Sequence, residues 1–127
     1  MNMSIEKIIA LFVIASFIVT SVNSLSAPSD QITKETAMEI SKGSSLVKEG
    51  LATAHSVSVG ANYYNSSMME QLKLGHNRET YAKVPEGHSV WQVVWGIHLG
   101  VGGYTVIVIV DAETGKILHE TKGVGFG

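Results

Sequence analysis

Residues 91–120 read WQVVWGIHLGVGGYTVIVIVDAETGKILHE, and their reading decides the fold. Two long apolar strands meet at Gly102-Gly103, the turn Asp111-Ala112-Glu113-Thr114-Gly115 follows, and a short third strand begins at Lys116. A two-residue turn with positive φ at both glycines sets Leu99 opposite Val106, Ile97 opposite Val108 and Trp95 opposite Val110. That side is large and apolar throughout. The other side is mixed: Gly100 meets Thr105, His98 meets Ile107, Gly96 meets Ile109 and Val94 meets Asp111. A slip of one residue scrambles this separation, so one face of the hairpin is expected to be covered and the other not. In the turn, Asp111 is expected to accept backbone amides and Gly115 to supply a positive φ, which makes both structural turn residues.

Upstream, Thr33 is a good N-cap, and Glu35 lies in the first turn where a carboxylate suits the helix dipole. Ala37, Ile40, Val47 and Leu51 share one face at helical spacing, with Gly43-Ser44-Ser45 as a kink or a break between two helices. The period changes at His55: Val57, Val59, Ala61 and Tyr63 alternate with small or polar residues, the pattern of a half-buried strand. A short helix follows over 65–75, capped by Ser67 with Glu70 and stopped at Gly75. Residues 76–88 show no period and turn at Pro85-Glu86-Gly87. The fold class predicted is α+β: an N-terminal helical segment on one face of an antiparallel meander of about four strands, with a short helix and a long loop between strands one and two.

At the N-terminus, Lys7 precedes an apolar run that fades into Thr20-Ser21-Val22-Asn23-Ser24. A basic start, an apolar centre and small residues at the end predict a signal peptide over 1–24, cut after Ser24. The alternative is an uncleaved anchor through residues 8–22, somewhat short of the about 20 residues that cross a bilayer. The expected layout continues with a linker over 25–31, one domain over 32–122 and a Gly-rich tail over 123–127. Such a chain is expected to be secreted or held in the extracytoplasmic envelope. With no cysteine among 127 residues, neither disulfides nor a lipidated cysteine contribute. A net charge of -2 without a basic cluster argues against nucleic acid as a partner.

The chemistry-bearing residues do not assemble into a catalytic pattern. The histidines show neither H-x-H nor H-x-x-x-H spacing. His119 is expected on the helix-covered side and His98 on the other, while His88 and His98 are about 33 Å apart along one strand. There is no G-x-S-x-G, and the Gly100-Val101-Gly102-Gly103 run joins strand to strand, unlike a phosphate-binding loop. No catalytic residue, metal or cofactor is expected. Tyr64, Met68 and Tyr81 surround the irregular region and are the candidate partner-contact residues, because exposed aromatics and methionines make adaptable surfaces. Asn65-Ser66-Ser67 matches the N-glycosylation sequon at Asn65, although helix capping also accounts for the serines.

Val106-Ile107-Val108-Ile109-Val110-Asp111-Ala112-Glu113-Thr114-Gly115-Lys116-Ile117-Leu118 resembles the closing signature of PepSY domains, in which a hydrophobic strand enters a V-D-A-x-T-G turn. Ile32-Thr33-Lys34-Glu35-Thr36-Ala37-Met38-Glu39-Ile40 resembles the family's opening helix, and Val90-Trp91-Gln92-Val93-Val94-Trp95 its middle strand. The stretch 55–88 is longer than a minimal unit of that family. The resemblance implies an extracytoplasmic binding or regulatory module without catalytic residues, whose protein partner is a secreted or envelope peptidase. A structural envelope domain or a small-ligand carrier is the alternative.

Overall fold

The alternation in residues 91–110 is realised as the two central strands of a four-stranded antiparallel sheet in the computed structural model, which describes residues 27–126. The expected signal peptide or anchor and the first linker residues lie outside the described residues, as does Gly127. Two helices come first, α1 (Lys34–Ser41) and α2 (Ser45–Thr53). Strand β1 (Ser56–Tyr64) follows, then a third helix, α3 (Ser66–Leu72), and an excursion that returns to β2 (Val90–His98), β3 (Gly103–Asp111) and β4 (Ile117–Phe126). Strand order is β1-β2-β3-β4, a meander with helices packed against it. The α+β class is the one read from the sequence.

The face assignment of the hairpin stands, but its register differs from expectation. Trp95 lies opposite Val106 and Trp91 opposite Val110, so each partner is displaced by four residues from a Gly102-Gly103 turn. The connection is the loop Leu99-Gly100-Val101-Gly102, closed by the Leu99 amide on the Gly102 carbonyl at 3.0 Å. Positive φ falls on Gly100 (92°) and Gly102 (72°), while Gly103 already pairs with His98. An even displacement leaves every side chain on its face, which is why alternation alone gives the right core with the wrong partners.

Trp91, Val93, Trp95, Ile97, Val106, Val108 and Val110 form that core, capped by Ala37 of α1 and Val47 of α2. Both indoles are satisfied: Trp95 Nε1 donates to Ser41 Oγ at 2.8 Å and Trp91 Nε1 to the Ile32 carbonyl at 3.0 Å. Gly43-Ser44 is a break between two helices, with Ser44 capping α2 through the Val47 amide. Two further differences concern β4. An irregularity between Ile109 and Val110 sets His119 opposite Ile109, on the face away from α1 and α2, and corrects the expected placement of His119 beside Val108. The Gly-rich end read as a tail from residue 123 continues the strand, pairing Gly125 with Tyr104 and Phe126 with Gly103.

Glu120 occupies the position opposite Val108 and reaches the start of α2. Its Oε1 accepts from Ser44 Oγ (2.5 Å), the Leu46 amide (3.0 Å) and Ser45 Oγ (3.2 Å). The Ser44 hydroxyl first, and the Leu46 amide second, hold its carboxyl below the ordinary glutamate value of 4.5. A carboxylate at a helix N-terminus is favoured by the same exposed amides and the dipole. Because the folded-state value is lowered, the stabilisation is present above the ordinary value and disappears as pH falls through the folded one. Glu120→Gln is expected to cost about 1 kcal/mol at neutral pH, with the gap to wild type closing as the pH of the denaturation series is taken below 4.5. A gap that stays constant down that series contradicts this role.

Candidate interaction surface

The sheet has a second covered face, and the excursion between β1 and β2 covers it. The far side of the sheet at the Val90–Asp111 end carries a separate apolar cluster of Met69, Tyr81, Val84, Val90 and Ile109, with Tyr64, Leu72, Ile107 and Leu118 packed against it. Residues 76–88, which have no sequence period, are a run of short turns: the amides of Arg78, Thr80, Tyr81, Ala82 and Val84 each donate to the carbonyl three residues earlier. Each turn is satisfied locally, so the segment needs neither a helical nor a strand period to be ordered. Lys73 Nζ donates to the Val84 carbonyl at 2.6 Å and ties the start of the excursion to its end.

This packing separates the three residues expected to meet a partner. Tyr81 is 2% exposed, and its hydroxyl accepts from Gln92 Nε2 at 3.0 Å; it is a core residue of the second cluster and is corrected as a contact residue. Burial, followed by the nearby Tyr64, pushes its phenol above the ordinary value of 10.0. Tyr64 is half-buried and meets Tyr81 edge-on, with ring centroids 6.3 Å apart. Met68 alone of the three faces water, at 45% exposure. Asn65 is exposed, and its side chain accepts from the Met68 amide at 2.9 Å, so Asn65 caps α3 where Ser67 was expected to do so.

What the excursion presents to solvent is Met68, Leu74 at 80% exposure, and an open depression of about 500 Å³ lined by Leu74, Gly75, His76, Arg78 and Glu79. Leu74 is the residue that sequence reasoning missed. It stands one position before Gly75, in the stretch expected to end the short helix. Helix α3 stops at Leu72, leaving Leu74 beyond its packed face. A segment held beneath by Met69, Tyr81 and Val84 thus shows an apolar side chain beside one cation and one carboxylate.

At the same end of the sheet, Asp111 is 1% exposed and receives the amides of Glu113 (2.8 Å) and Thr114 (3.3 Å) on Oδ1. His88 Nδ1 lies 2.8 Å from its Oδ2. Gly115 has φ 78°, and its amide donates to the Asp111 carbonyl at 2.8 Å. These contacts fasten the end of the excursion to the final turn and employ every oxygen of Asp111. Among the described residues, no group of three His, Asp or Glu side chains gathers as a metal site, and no helix is long and apolar enough to cross a membrane.

Asp111→Ala removes a buried acceptor and orphans two amides and an imidazole. It is expected to lower unfolding free energy by about 2 to 4 kcal/mol in chemical denaturation, against about 1 kcal/mol for Gly115→Ala, whose new Cβ sits in left-handed backbone. Equal effects of the two would place the strain of the turn above its hydrogen bonds. No protein-family model matches the chain, and no curated protein or solved structure proves similar to it.

Proposed function

We propose that the chain is an exported, non-catalytic binding module of the PepSY type that regulates another secreted or envelope protein, with a peptidase as the partner. The likeness of residues 32–40, 90–95 and 106–118 to that family supports the reading. The observation that carries it is Leu74, a large aliphatic side chain held in water with Met68 on a segment anchored beneath by buried Met69, Tyr81 and Val84. A pre-ordered apolar side chain with Arg78 and Glu79 at its rim suits a protein surface, since little conformational entropy is lost when it docks. The mechanism is occupancy: the excursion holds or blocks a partner without turnover.

A small-ligand carrier using the space between helices and sheet fits less well. That space is filled by Trp91, Trp95 and Ile97 against Ala37 and Val47, and both indole N–H groups are already engaged.

The protein is expected to retain a peptidase from the secreted fraction of its own host and to lower its activity. Leu74→Ser with Met68→Ser is expected to weaken retention at least about tenfold, the scale of losing one buried aliphatic contact. Retention of a peptidase whose activity does not change sinks regulation and leaves binding. Unaltered retention by the double variant removes the excursion as the contact face.

A further inference from the structure

The two edges of the sheet are built differently. At one edge, β4 carries Glu120 and Lys122, and its pairing with β3 is interrupted by irregularities at Tyr104/Val106 and Ile109/Val110. Charges and bulges are the usual means by which an edge avoids pairing with another strand. At the other edge, β1 has neither. Its nine residues include no charge and no proline, and no Lys, Arg, Asp or Glu occurs between Glu49 and Glu70. It pairs with β2 through all nine positions without interruption, which leaves a regular row of outward backbone groups. Among the described residues no strand pairs with that row. Val57 and Val59, on the helix side of β1, stay 41% and 38% exposed.

We propose that this edge joins two copies of the chain, β1 to β1 and antiparallel, about a two-fold axis at Gly60, so that the two sheets become one. The sequence of β1 favours a second copy as the occupant because it is complementary to itself. Gly60 is the midpoint of Ser56–Tyr64, and a two-fold there pairs every residue of the strand. On the helix side Val57 of one copy faces Tyr63 of the other, and Val59 faces Ala61. On the far side Ser58 faces Asn62 and Ser56 faces Tyr64. Apolar meets apolar on the helix side, the far-side pairs each carry a hydroxyl or an amide, and no charge is buried; a slip of one residue would set Val57 against Asn62. The nine-residue strand is about 30 Å long, and the sheet with its helix layer is about 20 Å deep, so each copy covers about 600 Å². Together the two footprints reach about 1,200 Å², the lower end of the range for stable interfaces.

The chain has no cysteine, so a thiol introduced at Gly60 is unique, and a Cβ there meets nothing within 4 Å. At the proposed axis the two Cβ atoms are about 5 Å apart, within reach of a disulfide after small adjustment. Mild oxidation of full-length Gly60→Cys is expected to give a covalent dimer, while Lys122→Cys on β4 stays monomeric. The unmodified chain is expected to sediment as a dimer and Val59→Lys, which places an ammonium in the row, as a monomer with an unchanged circular dichroism spectrum. If Val59→Lys fails to fold, Gly60→Cys decides alone. A monomeric Gly60→Cys after oxidation overturns the proposal. So does a photo-reactive residue at Gly60 that links to residues 1–26 of its own chain, or to a different polypeptide of the secreted fraction, in place of a second copy.

Discussion

A carboxylate taken out of water has to be met by donors, and Asp111 is met from three directions within one turn of chain and a loop 23 residues away. The surrounding backbone converges on the same point. The Asp111 amide donates to the Lys116 carbonyl, the Ala112 amide to Ser89, and the Ile32 amide to Ala112. The entry to α1, the end of the excursion and the turn into β4 are therefore fixed relative to one another through one buried side chain and its neighbour. The start of α1 then lies over Trp91, whose Nε1 also holds the Ile32 carbonyl, and the excursion closes over Val90 and Ile109 with Lys73 as a second tie to Val84.

Period and composition made the first core legible. Odd positions of β2 and even positions of β3 are apolar almost without exception, and that pattern survives any even shift of register. The partners themselves depend on the loop, and four glycines among Gly96, Gly100, Gly102 and Gly103 offer several turns of similar quality. Choosing between them requires knowing that Leu99 and Val101 can be left outside, a matter of tertiary packing and not of propensity.

The second core was not legible because nothing local announces it. Tyr81 and Val84 sit three apart in a stretch of turns, among exposed Glu79, Ala82 and Lys83, and only their meeting with Ile109 on the far face gives them a purpose. An aromatic in an irregular loop looks like a contact residue when the sheet beneath it is out of view. The tie from Glu120 to Ser44 has the same character, spanning 76 residues, and the capping serine gives no hint of the carboxylate above it. The Thr33 cap and the Asp111 turn were readable from a few residues, but the hairpin loop and the α3 cap were not, and neither were the contacts that close the fold across its length.

The sheet is thus covered on both sides at its Asp111 end and mainly on one side near the Leu99–Gly102 loop. Without disulfides to equalise the two ends, protection of the backbone is graded along each strand. Opening is expected to start where the hairpin turns and to travel toward the doubly buried end. The molecule can therefore let its hairpin fray while the platform beneath Leu74 keeps its shape, a division of labour between a yielding end and a persistent one.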